Sequence, residues 1–296
     1  MAIPQEGLSV KLAQFLADQA MRNDATRPGT AQIVMLRGCR ANRDGSLSVY
    51  GDPNRCTDHY DDRLVVFGLK AGGQPYLWHG RASSRPGLRW VKDPSYYHRG
   101  APFMQPGQML YQRGRHLTHP EAMVQAAACC VVRDYDQDGR VEFDADRIDY
   151  PFGTGINIHA GGTSSSVGLY SSGCQIIWGG WGGDGWRTFH DLIYKTARSQ
   201  KLFHYAVTDF AFFGAWHDHP DERQTTYSVL RFGSYGKRVR DLQTLLVRAG
   251  YLGASLVDGE FGPRTDRAVR DFQRARRLTM NGAVTQKVLN LLRGGD

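Results

Sequence analysis

The sequence predicts an α+β chain, with a mainly β domain followed by a small three-helix bundle. Three observations carry that expectation. Short apolar runs separated by glycine turns dominate the upstream part, and 35 Gly, 14 Tyr and 6 Trp lean the composition toward strands and loops. From Gly236 onward, apolar residues instead recur at i, i+3, i+6 and i+7. Charge follows the same division: residues 228–296 hold thirteen Lys and Arg against six Asp and Glu, whereas everything upstream holds 24 against 23. A length of 296 residues exceeds one ordinary domain. The expected boundaries are 1–220 for the first domain, with an N-terminal helical segment at 1–30, a polar linker at 221–232 and the bundle at 233–296.

Within the first domain, Leu8, Val10, Leu12, Phe15, Leu16 and Ala20 lie nearer to a helical face than to alternation, so a short amphipathic helix is expected over 8–21. Residues 64–70 and 75–80, joined by Ala71-Gly72-Gly73, read as paired strands. Residues 93–115, with Tyr96, Tyr97, Phe103 and Tyr111 among many Gly and Pro, read as a long loop that covers substrate or wraps the core. Strands are expected at 128–133 and 140–143, a helix at 188–196 and a buried strand at 203–213. The five cysteines show no metal-ligand spacing. Cys129 and Cys130 read as packed interior, and Cys39 with Cys56 could form one bridge in an oxidising compartment.

Residues 157–177 hold one histidine and one cysteine joined by a Gly and Ser interval. A lone cysteine in an apolar run is commonly a packed core residue. It becomes a nucleophile as the thiolate, and a nearby imidazole is the usual device for generating one. A strand through His159, a flexible loop and a return strand through Cys174-Gln175-Ile176-Ile177 would set the two side chains together. The small residues before Cys174 would turn the Gly173 and Cys174 N–H groups toward a developing oxyanion. A Cys174 of low pKa, alkylated quickly near pH 6, is expected.

This stretch resembles the catalytic motif of the L,D-transpeptidase family of peptidoglycan enzymes, a histidine followed after an interval by Ser/Thr-His-Gly-Cys. His159 matches the first histidine, Ser171 the Ser/Thr, Gly173 the glycine and Cys174 the nucleophile. Ser172 stands where the family has its second histidine, and Gln175-Ile176 replaces an apolar residue followed by Asn or Arg. Arg81 to Gly87 loosely resembles the family's strand leading into a Pro-Gly turn. The resemblance implies an L,D-transpeptidase-like catalytic domain working through a Cys174 thioester, with His159, Ser172 and Gly173 completing the catalytic set. Its departures favour hydrolysis slightly over transfer.

Other residues are candidates for binding. His116, separated from His119 by two residues, is expected on the substrate side of Cys174, and Trp178 and Trp181 in a glycine-rich stretch could line a groove. Asp134, Asp136 and Asp138 followed by Gly139 reproduce the first half of a calcium loop, but Ala145 stands where a bidentate Glu belongs. A solvated acidic turn is the preferred reading, calcium the weaker one, and no other cofactor or metal is expected. A zinc peptidase using His217 and His219 is the alternative enzyme.

In the bundle, Val239 with Leu242-Gln243, Gly250-Tyr251-Leu252, the Asp258 to Gly262 turn, Thr265, Ala268-Val269 with Phe272-Gln273, and Gly282 before Thr285 closely resemble the peptidoglycan-binding domain of bacterial and phage wall enzymes. That resemblance implies peptidoglycan as partner. The basic charge suits an anionic polymer, but no zinc-finger, RNA-recognition or basic-zipper signature accompanies it, which argues against nucleic acid. No run of about eighteen apolar residues argues for a membrane span. The combined expectation is a monomeric, wall-tethered peptidase or transpeptidase, with a non-catalytic wall-binding phage structural protein as the non-enzyme alternative. The first twenty residues lack a basic segment and a continuous apolar one, so no secretory signal is expected there. Release by phage lysis, as for an endolysin, or by a dedicated secretion system would then bring the protein to the wall.

Overall fold

The computed structural model describes residues 2–93, 99–117, 119–143 and 147–294. Tyr96 and Tyr97 of the expected loop, and Asp144, Ala145 and Asp146 after the acidic turn, lie outside them. Eight strands close into a barrel in the order Ile158–Ala160, Gln175–Ile177, Pro75–Ser83, Asp62–Leu69, Thr30–Arg37, Leu202–Asp209, Gly107–His116 and His119–Gln125. The chain is thus α+β, with a mostly β N-terminal part and a helical C-terminal one.

Strands that face two apolar layers cannot show polar alternation. In Thr30–Arg37 every residue is buried: Ala31, Ile33 and Met35 enter the barrel core, while Val34 and Leu36 join an outer core. Asp62–Leu69 divides the same way, with Leu64 and Val66 inside and Val65 and Phe67 outside. The outer core is covered by the helix Leu8–Asp18, which buries Leu8, Leu12, Phe15 and Leu16 and leaves Val10 exposed. Phe15 meets Phe213 and Trp216 edge-on, at ring separations of 5.3 and 5.4 Å.

Several sequence expectations are corrected. The loop expected over 93–115 contains the strand Ala101–Met104 and the barrel strand Gly107–His116, whose Tyr111 is fully buried. The strand expected over 203–213 ends at Asp209, whose extended backbone opens the helix Phe210–Asp218. The segment 140–143 forms no strand; Val131–Asp134 pairs instead with Ala101–Met104 and Arg147–Asp149. No Cys39–Cys56 bridge forms, because the two thiols sit in different cores.

The helices Lys237–Arg248, Pro263–Ala275 and Gln286–Leu292 surround Leu242, Leu246, Val269 and Phe272. Buried Gln243 closes the turn beside them, donating to Asp258 Oδ1 at 2.8 Å and accepting from the Gly259 N–H at 2.8 Å. Residues 221–232 are not a free tether. Val229, Leu230 and Phe232 are buried, and Leu230 both belongs to the bundle core and pairs with Val284.

The bundle docks on the end of the first helix. The Ser234 hydroxyl donates to the Gln19 carbonyl, the Tyr235 N–H to that of Ala20 and Arg238 Nη1 to that of Asp18, each at 2.8 Å. Gly233 has φ +85°, and a Cβ there would lie 2.1 Å from the Gln108 carbonyl oxygen, so only glycine permits this approach. The partly exposed Arg22–Glu260 ion pair contributes at most about 1 kcal/mol. Buried contacts therefore hold the seam, among them Asp266, which accepts from the Tyr150 hydroxyl and Arg270 Nε at 2.6 Å each.

Candidate active site

His159 and Cys174 are brought to one place by parallel pairing, not by the return strand that the sequence suggested. Ile158 lies opposite Gln175 and His159 opposite Ile176. A parallel pair needs a long crossover, here residues 161–174. Side chains alternate, so Ile158, Ala160 and Ile177 enter the barrel core while His159, Cys174 and Ile176 take the other face.

Gly173 sets the turn before the nucleophile position. Its φ is +139°, and a Cβ would lie 2.5 Å from Pro102 Cγ. Its N–H donates to the Ser171 hydroxyl at 3.1 Å, while that hydroxyl donates to the Cys174 carbonyl at 2.8 Å. The Gly173 amide is thus engaged and not presented to an oxyanion, which corrects the expected two-amide hole. Gln175, where the sequence departs from the family motif, clamps the same turn from below: its amide donates to the Gly173 carbonyl at 3.1 Å and accepts from Tyr205 at 2.8 Å.

His159 is oriented by its neighbour's carbonyl. Nδ1 lies 2.8 Å from the Ala160 oxygen, an acceptor only, so Nδ1 carries the proton and Nε2 presents its lone pair. Nε2 is buried without a hydrogen-bond partner among the described residues. His116 stacks on His159 with ring centroids 4.3 Å apart, and the Asn157 amide meets His116 Nδ1 at 2.7 Å. Ligand-capable atoms of His116, His159 and Cys174 all lie within 4.8 Å of one another. This set could hold a soft divalent metal as well as pass a proton.

A pocket of about 670 Å³ opens over Cys174 and His116, lined also by Ser172, Trp90, Arg115 and Tyr170 among others, while His159 lies outside the lining. Cys174 is only 5 % exposed, and its thiol donates to the Gly155 carbonyl at 3.0 Å. Tyr111 and Gln125 fasten that carbonyl's loop: the Tyr111 hydroxyl donates to the Ile156 oxygen at 2.9 Å, and Gln125 to that of Pro151 at 2.9 Å. Neither Trp90, Arg115 nor Tyr170 stands out in the sequence, since each reaches the pocket from a separate segment.

Burial decides the resting charges. It pushes the Cys174 thiol up to about 11. Burial first, and then the adjacent His116, pull the His159 imidazole down to about 4. At neutral pH the pair is thiol and neutral imidazole, not the low-pKa thiolate expected from the sequence. Alkylation of Cys174 by iodoacetamide should therefore be slow at pH 6 and rise about tenfold per pH unit toward pH 10. Site-resolved mass spectrometry measures this, and a Cys174 plateau below pH 7 would show a preformed thiolate instead.

The remaining candidates are dispersed. Trp181 stacks on His119 at 3.9 Å and lies parallel to His159 at 6.0 Å, backing the imidazole away from the pocket lining. Trp178 donates to the Ser164 carbonyl at 2.9 Å and does not line the pocket. Asp134, Asp136 and Asp138 converge within 4.8 Å. They also close their own turn: Asp134 accepts from the Gly139 N–H, Asp136 from that of Asp138 and Asp138 from that of Arg140. Lys92 donates to the Gln137 carbonyl at 3.0 Å, bringing a positive charge to the backbone of the same turn. No trio of metal-capable atoms forms around His217 and His219 among the described residues; His217 meets Asp218 at 2.8 Å.

The helical region decides what can be said of family. Residues 235–292 match the family described as "Putative peptidoglycan binding domain". That match supports peptidoglycan as a partner and association with the cell wall. Among the described residues, no helix is long and apolar enough to cross a membrane. Neither the curated proteins nor the solved structures gave a match.

Proposed function

We propose that the protein is a cysteine peptidase or transpeptidase acting on peptidoglycan stem peptides, with hydrolysis the preferred outcome. The observation that carries this reading is the convergence of His159 and Cys174, whose ligand-capable atoms lie within 4.8 Å of each other, with Cys174 lining an open pocket and the His159 Nε2 without a hydrogen-bond partner among the described residues.

In the proposed reaction the substrate carbonyl carbon approaches Sγ and the thiol hydrogen leaves the Gly155 carbonyl for Nε2. The proton is transferred as the sulfur attacks, so no resting thiolate is needed. The Cys174 N–H stabilises the tetrahedral oxyanion. Imidazolium returns the proton to the leaving amine, and the thioester passes to water or to an acceptor amine. His116, stacked on His159, shapes the substrate side of the imidazole. The docked peptidoglycan-binding domain would hold the pocket in a fixed attitude to the wall, rather than on a flexible leash.

Purified sacculi incubated with the protein should release altered muropeptides, resolved by chromatography and mass spectrometry. Retained activity in Cys174→Ala would end the thiol mechanism. Loss of wild-type activity on chelation would instead favour a metal held by His116, His159 and Cys174, the second reading that their convergence supports. Binding to sacculi without any change in muropeptides would leave a wall-binding protein and no enzyme.

A further inference from the structure

Arg231, in the segment read from sequence as a linker, lines a second pocket of about 200 Å³ at the seam between the barrel and the peptidoglycan-binding domain. Arg37 and Asp209 come from the barrel side, Phe212 from the helix that follows, and Asn281 from the peptidoglycan-binding domain. Arg37 is 2 % exposed and fully engaged. Its Nε and Nη2 meet Asp209 Oδ1 at 2.7 and 2.6 Å, and its Nη1 donates to the Met104 carbonyl at 2.9 Å.

Arg231 is different. Its guanidinium lies over the Phe212 ring at 5.2 Å, and its Nε is shut off from solvent without a hydrogen-bond partner among the described residues. Burial pulls it down only to about 10, so it stays charged at neutral pH. Among the described residues Asp209 is the one carboxylate lining this pocket, and Arg37 already holds it. Among the described residues, two guanidinium groups stand against one carboxylate and leave one positive charge over, and a buried donor without an acceptor is costly.

We propose that this pocket binds a single terminal carboxylate, of the kind that ends a peptidoglycan stem peptide, between Arg231 and the side-chain amides at the seam. The stem-peptide source rests on the peptidoglycan reading; the oxyanion chemistry does not. The volume lies below the about 300 to 1,000 Å³ of sites for drug-sized ligands, which suits an end group of one residue. A phosphodiester of a wall polymer shares the chemistry but continues as chain on both sides. The site would let the enzyme hold one strand's peptide end at the seam while another occupies the Cys174 pocket.

The test uses the full chain with N-acetyl-D-alanine, its neutral amide, and dimethyl phosphate at constant ionic strength. Saturating N-acetyl-D-alanine should raise Tm by about 3 °C and shift the Arg231 Nε–H resonance, while the amide does neither. Arg231→Gln should lose the Tm response, and Cys174→Ala should keep it. An equal response to dimethyl phosphate would overturn the carboxylate assignment in favour of a phosphodiester. No response to any probe, or a response retained in Arg231→Gln, would overturn the site. Should Arg231→Gln fail to fold, the wild-type resonance decides. If the anion response stands while the protein neither binds nor alters sacculi, the pocket survives and its stem-peptide source falls.

Discussion

Cys174→Ala is expected to lower muropeptide release by roughly 10⁴-fold, the scale on which loss of a covalent nucleophile acts. The side chain is small and donates to the Gly155 carbonyl, a bond the fold can spare, so the variant should fold. His159→Ala removes the base but leaves the thiol, and a loss of about 10² to 10⁴-fold follows. If the two act as one unit, the double variant is no worse than Cys174→Ala alone. The pH profile gives an independent check. With the imidazole held down at about 4, kcat/KM should stay level from pH 7 to about 5 and fall below that, as His159 gains a proton and ceases to accept one. An acid limb near 6.5 would mean an exposed, ordinary histidine and would contradict the buried pair.

The proximity of His159 and Cys174 was legible in the sequence, but their electrostatics were not. Residue types and the small turn before Cys174 point to thiol chemistry. The sign of the pKa shift depends on how much water the fold removes, and burial over the barrel wall outweighs the backbone hydrogen bond from Asn157 that lowers the thiol. Gln175 shows the same limit. In the sequence it is a departure from a family motif; in the fold it is a buried clamp on Gly173 whose partner Tyr205 lies on another strand. Trp178 does not line the Cys174 pocket, and its indole N–H is held by the Ser164 carbonyl, a partner no periodicity reveals.

Fold class read more reliably than boundaries. The three helices follow from apolar spacing, and the strand pair at 62–83 from a glycine turn between apolar runs. The barrel's closure was not legible, because closure joins Ile158 to Met123 across a distant register. Nor was the docking of the bundle. Polar residues such as Gln19, Ser228 and Ser234 look like surface or linker, yet they form the buried hydrogen bonds of the seam. That seam gives the N-terminal helix a role: its last turn is the platform on which the peptidoglycan-binding domain sits.

Arg85→Met should cost about 3 to 5 kcal/mol of stability, the penalty for leaving buried carboxylates without their cation. Arg85 is 2 % exposed and pairs with both Asp61 and Asp62, the latter at 2.8 Å. It also donates to the Asp52 and Arg55 carbonyls at 2.7 and 3.0 Å. Asp62 in turn accepts from the Gly38 N–H at 2.8 Å and from the Ser84 N–H and hydroxyl at 2.7 Å each. The cluster thus locks the end of Pro75–Ser83, the strand that pairs with Gln175–Ile177 beneath the candidate nucleophile. At about 2 to 4 °C per kcal/mol, Tm should fall by roughly 10 °C. Even with Arg85 in place, burial and then the Asp62 charge push Asp61 up, so its folded form holds a proton more readily than its unfolded one. Removing Arg85 strengthens that bias. The deficit of the variant should therefore be largest at neutral pH and shrink as pH falls toward 4 and the carboxylates protonate. Denaturant unfolding of both proteins at pH 7 and pH 5 measures it, and a deficit equal at the two pH values would show that Arg85 acts through packing alone.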